Sequence, residues 1–409
     1  MNVIAKCRSC GSDQLESIIS FGSSPLADVL LSESDLANED PCYPLDVVFC
    51  AHCALVQLKE TVPPEILYKD DYPYYSSVSP SLLKHFADSA KSIINQRKLG
   101  PDSLVIEAGS NDGYMLKVFR EHGIEVLGID PASGPAKVAL NAGVPTMIEF
   151  FGADIAQRLR SRGKIADVVV ANNTINLVSD LTGFVQALCM LMKDDGIAVL
   201  EAPYLVDIID RCAFDNIFHQ NISYFSVTAM KSLLDRNALV ITDIERIPTF
   251  GGSLRFFIEH RGETGPRVAE LLAEEEYRGV ETIQFYRSFR SRVAAVKHEL
   301  KSMISDLRQQ GNRIAAYGAG GGMATMLLSH LGIDSATLEY VVDNNEHKHG
   351  CYTVGSRMRI MPTETLLEDC PEYVLLLAWN FQGEVMRQQS EYRKQGGKFI
   401  IPIPHPMII

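Results

Sequence analysis

Between Leu104 and Asp130 the apolar positions change period twice, and this alternation organises the whole chain. Residues 104–106, Leu-Val-Ile, form a short unbroken apolar run, the pattern of a strand buried on both faces of a parallel sheet. A glycine-bearing turn follows, then a helical stretch over 114–122, then a strand over Glu125–Ile129 that ends on Asp130. Upstream, Pro80–Arg97 reads as a helix; downstream, strands are expected at 146–151, 166–171, 196–201 and 254–259. The alternation then stops. Residues 267–310 are charged and helix-favouring, with no proline and one glycine, and read as two helices forming a solvated connector. From Ile314 it restarts, with strand Ile314–Tyr317, a turn at 318–322, a helix at 323–331 and strands at 338–343, 373–377 and 398–402. The expectation is an α/β protein with two Rossmann-like units, divided as 1–68, 69–265, 266–310 and 311–409.

The first turn carries the sharper chemistry. It reads Glu107-Ala-Gly109-Ser-Asn111-Asp112-Gly113. A dinucleotide loop needs G-x-G-x-x-G so that a helix N-terminus meets a pyrophosphate. Here Glu107 leads into the turn and Asp112 lies inside it; carboxylates repel phosphate but suit a zwitterionic sulfonium ligand. Asp130, about 20 residues on, stands where doubly wound folds hold a ribose. Asn172 and Asn173 end the 166–171 strand, at the sheet edge where such folds bind ligands. The stretch resembles motif I of the class I S-adenosylmethionine (SAM) methyltransferases. That resemblance implies SAM as cofactor, with Glu107, Gly109, Asn111, Gly113, Asp130 and Asn172 around it and Phe150 and Phe151 flanking the adenine. The turn at Gly318-Ala-Gly-Gly-Gly322 has Met323 where a third glycine is needed, so it is weak as a dinucleotide fingerprint. The helix N-terminus behind it remains available to an anion such as a diphosphate.

The cysteines add a metal. Cys7-Arg-Ser-Cys10 and Cys50-Ala-His-Cys53 are two C-x-x-C knuckles, the four-thiolate set of a structural zinc site. His52 lies between ligands and Cys42 reads as a bystander. With four protein ligands the metal has no open position, so its role is structural. The net charge of −13 argues against nucleic acid as a partner. With no membrane-length apolar run and no signal-peptide pattern, a cytoplasmic monomer or weak dimer acting on a small molecule is expected.

Two further segments concern an acceptor. Residues 68–79 hold Tyr68, Tyr72, Tyr74 and Tyr75 around Pro73, which suits either a lid or tyrosines packed flat on the next helix. Residues 214–226 are dense in aromatic and hydrogen-bonding side chains and end in Ser-Tyr224-Phe-Ser. The zinc knuckles, the Tyr-x-Tyr-x-Ser-Ser loop, the acidic glycine turn, Asn172-Asn173, Gly251-Gly-Ser-Leu-Arg255 and the C-terminal Rossmann unit occur in one order. In that order they resemble the deoxysugar C-methyltransferases of antibiotic sugar pathways. The resemblance implies a thymidine-diphosphate 4-keto sugar held between the central and C-terminal domains, and a base that forms its enolate before methyl transfer. The chain departs from the family at the base. The usual Tyr-His-Glu-His is Phe218-His219-Gln220-Asn221, and two further histidine positions are Leu177 and Phe250. The usual Lys-Gly-Asn of the C-terminal turn is Gly322-Met323-Ala324. Amides cannot take up a proton at neutral pH. The expectation is a SAM-dependent methyltransferase with an altered acceptor, using His219 first, with Asn221, Tyr74 and Tyr224 around the acceptor. The alternatives are a catalytically retired SAM- or nucleotide-binding partner, and a ketoreductase on the same fold.

Overall fold

The computed structural model describes residues 2–68 and 72–409. Contacts sort the chain into two compact units. The first holds Met1–Ser17, Val48–Val206 and Ile222–Phe285; the second holds Ile18–Val47, Asp207–Asn221 and Tyr286–Ile409. The sequential division into four blocks is therefore not how the chain packs. The stretch between the two cysteine knuckles, about forty residues long, gives most of its length to the second unit.

In the first unit a seven-stranded sheet runs through β1 (Leu104–Ala108), β2 (Glu125–Ile129), β3 (Thr146–Met147), β4 (Ala166–Asn172), β5 (Met192–Pro203), β6 (Val240–Ile247) and β7 (Ser253–Glu259). Their spatial order is β6-β7-β5-β4-β1-β2-β3. The first five are parallel; β7 runs antiparallel to both β5 and β6. Every side chain of β1 is buried, as its unbroken apolar run anticipates. Strand β6 was not anticipated, because Thr242, Asp243, Glu245 and Arg246 interrupt its alternation. Succession moves outward from β1 to β2 and β3, then restarts on the other side at β4. A crevice therefore opens at the carboxyl ends of β1 and β4, where open α/β sheets bind ligands.

Helix α1 (Pro80–Arg97) precedes β1, starting at a Ser79 cap and a first-turn proline and ending at left-handed Lys98. Its buried positions Leu82, Phe86, Ser89, Ala90 and Ile93 recur at helical spacing. Further helices are α2 (Leu116–Glu121), α3 (Ser133–Asn141), α4 (Ala153–Ser161), α5 (Leu181–Leu191), α6 (Val227–Asp235) and α7 (Pro266–Arg278). The solvated connector is corrected by α7, which packs in this unit through Val268, Leu271 and Glu275. The Glu275 carboxylate accepts from the Tyr204 hydroxyl at 2.8 Å and from the backbone N–H groups of Val227 and Thr228 at 2.7 and 2.8 Å. A carboxylate at the exposed N–H groups of α6 is stabilised by both hydrogen bonds and the helix dipole. Composition cannot reveal this, since α7 carries five other charged residues.

In the second unit, α8 (Phe289–Gln309) buries Phe289, Val293, Val296, Leu300, Ile304 and Leu307 on one stripe. A parallel sheet follows, of β8 (Ile314–Tyr317), β9 (Val341–Val342), β10 (Ile360–Met361), β11 (Tyr373–Leu376) and β12 (Lys398–Ile401). It is closed by β13 (Met407–Ile408), antiparallel to β12, and the order is β10-β9-β8-β11-β12-β13. Helix α9 (Gly322–Leu331) leaves the glycine turn after β8. Leu30–Leu31 from the inter-knuckle stretch pairs with Tyr352–Thr353.

Candidate functional site

The crevice at β1 is built by the turn that leaves it. Gly109 and Gly113 sit at φ of 69° and 78°, where L side chains are strained. A Cβ on Gly109 would also collide with Thr174, and one on Gly113 would press on Ala139 and Val144 at 3.1–3.3 Å. Asp130, at the end of β2, accepts from the N–H of Asn111 and of Ala132, both at 2.8 Å. Burial lifts its carboxyl to about 6, and these two hydrogen bonds pull the other way. Each oxygen keeps a lone pair for a further donor.

Asn111 does something the sequence did not disclose. Its Oδ1 accepts from Ser76 N–H at 2.9 Å, and its Nδ2 donates to the Tyr74 carbonyl at 3.1 Å. Asp112 Oδ2 accepts from Ser77 N–H at 3.1 Å. The tyrosine loop is thus stapled to the turn, with Tyr74 half-exposed beside it; the Lys69–Asp71 part of that loop lies outside the described residues. Tyr72 lies with its ring 5.5 Å from Tyr68 and 6.4 Å from Tyr74. Phe150 is exposed, edge-on to Tyr68, whereas Phe151 packs on Phe184 of α5. The pair expected to flank an adenine therefore diverges.

Glu107 is fully buried. Its Oε1 accepts from Asn172 Nδ2 at 3.2 Å, and that amide also reaches the Tyr114 hydroxyl and Met115 sulfur. Burial, only partly offset by bonds from Tyr114 and Asn172, holds the Glu107 carboxyl well above the ordinary range. Glu107 Oε2, Asp112 Oδ1, Asn172 Oδ1 and Ser110 Oγ are buried without a hydrogen-bond partner. Native interiors rarely leave such atoms unpaired. A ligand bringing an ammonium and hydroxyls fits this set, and one bringing phosphates does not. SAM matches that description.

The four knuckle sulfurs, Cys7, Cys10, Cys50 and Cys53, all lie within 4.8 Å of one another. Cys7–Cys53 and Cys10–Cys50 are each 3.6 Å apart. Thiolates about 2.3 Å from a tetrahedral zinc would stand about 3.8 Å apart, so the cage fits the metal. Gln57 Nε2 donates to the Cys7 sulfur at 3.1 Å, an outer-shell bond of the kind that orients metal ligands.

The acceptor candidates divide between the units. Tyr224 is buried in the first, where its strand pairs with Val56 and Gln57 beside the knuckle. His219 and Asn221 belong to the second. The His219 Nε2 lies 3.2 and 3.1 Å from the carbonyls of Tyr43 and Pro44, so Nε2 carries the proton, while Nδ1 is buried without a partner. Burial lowers its basicity, leaving a neutral imidazole at pH 7. Gln220 Nε2 donates to Ala27 O at 2.7 Å, and Asn221 Nδ2 donates to Asn216 O at 2.9 Å. Phe218 rests on Gly322, where a Cβ would meet its ring at 2.5 Å. The N-terminus of α9, expected to be open to an anion, is thus covered by a phenyl ring.

One group escaped the sequence. Glu107 on β1 aligns with Val170, Asn172 with Glu201, Glu201 with Arg255, and Arg255 with Glu245. Strand alternation puts these on one face of the sheet. There Arg255 Nε donates to Glu201 at 2.7 Å and its NH1 donates to Glu245 at 2.9 Å. His85 of α1 meets Glu201 at 2.9 Å. Charges at the strand positions 201 and 255 are the only signal that pointed this way.

Three family models match in succession: a zinc binding domain over residues 7–68, a methyltransferase domain over 83–243 and a C-methyltransferase C-terminal domain over 248–404. Among solved structures, magnesium protoporphyrin IX methyltransferase from Synechocystis PCC 6803 with bound SAM is 13% identical, covering 43% of this chain and 78% of its own, at a TM-score of 0.34. A SAM-dependent methyltransferase from Clostridium acetobutylicum is 11% identical over 44% of this chain and 92% of its own, at 0.36. The C-methyltransferase NovU of Streptomyces niveus is 33% identical over 409 residues, spanning 99% of this chain and 97% of its own length. Related from end to end to that enzyme, this chain belongs to the SAM-dependent C-methyltransferases that carry an N-terminal zinc binding domain.

Proposed function

We propose that the protein methylates a carbon acid, a carbonyl-bearing small molecule of the nucleotide-linked sugar class, with an acceptor altered from that of ordinary deoxysugar C-methyltransferases. The observation that carries the methyl-donor half is the set of buried unpaired oxygens on Glu107, Asp112 and Asn172. Glu107 and Asn172 would hold the cationic end of SAM, the glycines would admit its backbone approach, and Asp130 would accept from its ribose. Asn111 would act mainly by fastening the tyrosine loop. When bound, SAM supplies an electrophilic methyl.

The acceptor half rests on the changed run at 218–221. The acceptor-side candidates of this reading are His219, with its bare Nδ1, and Asn221 in the second unit, and Tyr74 and Tyr224 in the first. A retired SAM-binding partner is the second reading, favoured by the replacement of ionisable groups by Gln220 and Asn221. A ketoreductase gains nothing, because Phe218 fills the approach to Gly322 that a pyrophosphate needs. Among the described residues no helix is long and apolar enough to cross a membrane. None of the nine cysteines is in a disulfide; we expect the cytoplasm as the site of action and a monomer or weak dimer.

The test is calorimetry with SAM, followed by mass spectrometry of a thymidine-diphosphate 4-keto sugar incubated with protein and SAM. SAM binding with a 14 Da gain retained on carbon supports the reading. SAM binding with no transfer to any carbonyl acceptor favours the retired partner, and no SAM binding sinks both.

A further inference from the structure

The 218–221 run keeps a single imidazole, the buried His219, beside the amides of Gln220 and Asn221, yet a carbon acid needs a base. The first unit contains a second imidazole in a better state for the task than His219. His85 projects from α1 onto the sheet face that carries Glu107 and Asn172. Its Nε2 lies 2.9 Å from Glu201 Oε2 and 3.2 Å from Oε1. An ionised carboxylate only accepts, so Nε2 carries the hydrogen and Nδ1 is left with a lone pair. The Arg255 NH2 contact to the same Nε2 is longer, 3.4 Å, and Arg255 is already matched by Glu201 and Glu245. Among the described residues Nδ1 has no hydrogen-bond partner. The imidazole side chain is 18% exposed while the Glu201 side chain is 1% exposed. One edge of the ring is therefore anchored and the other is open.

The position fits as well as the chemistry. Glu201 aligns with Asn172 on the neighbouring strand, one strand spacing away, and Asn172 touches Glu107. His85 is also followed in α1 by Phe86, whose ring lies tilted with its centre 4.6 Å from that of Tyr114, the phenol bonded to Asn172. His85 thus belongs to the wall of the crevice that would hold the methyl donor. A carboxylate behind an imidazole fixes its tautomer and stabilises the imidazolium that proton uptake creates.

We propose that His85, held by the buried carboxylate of Glu201, is the group that takes the proton from the acceptor carbon. This rests on the C-methylation reading above. The C–H bond next to the carbonyl breaks, its electron pair moves into the enolate, and the proton goes to Nδ1. Glu201 keeps its charge throughout and is a positioning residue. Without a methyl donor the step reverses, and the carbon takes back a proton that has equilibrated with solvent. The charged groups near His85 are Glu201 on β5, Arg255 on β7 with its partner Glu245 on β6, and Asp88 one turn along α1.

The experiment uses the full zinc-loaded chain in D2O without SAM, and follows by NMR the proton next to the ketone of a thymidine-diphosphate 4-keto-6-deoxyhexose. The parent is expected to exchange it. His85→Gln keeps a donor for Glu201 but no base, so exchange should fall by roughly 100-fold or more. Glu201→Gln should keep exchange but move the midpoint of its pH profile to lower pH, a shift that loss of packing alone would not cause. If His85→Gln does not fold, His85→Ala is assayed with imidazole in the buffer; restored exchange supports the proposal and unrestored exchange overturns it. Exchange that survives His85→Gln and disappears in His219→Ala overturns it while leaving C-methylation standing. A parent that exchanges nothing overturns both.

Discussion

Two glycine turns in this molecule start alike and end differently. Each leaves the first strand of a parallel sheet and meets an aspartate at the end of the second strand. Asp130 accepts from Asn111 N–H and Ala132 N–H, both at 2.8 Å; Asp343 accepts from Ala319 N–H at 2.7 Å and Asn345 N–H at 2.8 Å. The bonding pattern is the same. The charge around it is not. Lys348 lies 3.3 Å from Asp343 and donates to the Ala319 carbonyl, so the second turn is neutralised from within. Asp130 faces Asp112, and Glu107 stands behind it with an unpaired oxygen, so the first turn keeps acceptors left unsatisfied among the described residues. A phenyl ring, Phe218, lies against Gly322 in the second turn, whereas the side chain against Gly109 is the small, polar Thr174. The fold supplies the turn; ligand demand is written in which acceptors are left unsatisfied.

The largest effect should come from breaking the first turn. Asp130→Ala should cost SAM about 1.5–3 kcal/mol of binding, the range for a hydrogen bond to a charged group, read by calorimetry. Asp343→Ala should leave SAM affinity unchanged and lower the melting temperature instead. Equal losses of affinity would erase the contrast between the turns. Next in size is the knuckle: Cys10→Ser should lose the single zinc per chain by elemental analysis and lower the melting temperature more than it lowers SAM affinity, because structural zinc contributes folding free energy. Gly322→Ala should follow, costing about 1–3 kcal/mol of stability by overpacking against Phe218, with SAM binding intact.

The smallest effect is a pH dependence. The folded carboxyl of Asp130 is raised from 3.8 to about 6 by burial. A raised carboxyl favours the folded, protonated state in acid, and that contribution is lost as pH rises from about 4 to about 6. Its ionised form is the stronger acceptor for ribose, so SAM affinity should increase between pH 5 and 7. Asp130→Asn should flatten that rise, and a parent profile already flat would remove Asp130 from the site.

Much was legible before the structure, and for local reasons. Helix Pro80–Arg97 and strands Glu125–Ile129 and Ile314–Tyr317 have the bounds their periodicity gave. The cysteine knuckles and the acidic glycine turn needed only spacing, because neighbouring residues build them. The end of α8 and the start of β8 are separated by the glycine and asparagine at 311–312, again a local signal.

The rest depended on partners distant in the chain. Periodicity marked α7 as a helix, but only its packing showed that Glu275 answers the N–H groups of α6. Asn111 looked like a ligand group until its amide was found holding Tyr74 and Ser76, 35 or more residues away. Gly322 looked like an anion cradle until Phe218 closed it. His85 carried no motif at all; it acquires chemistry only because helix α1 lies across the strand that carries Glu201, 116 residues later. Sequence determined which elements form and which chemistries are within reach, since both follow from local period and residue type. Tertiary structure decided which polar groups are already satisfied, because that depends on desolvation and on partners that only the folded chain brings together.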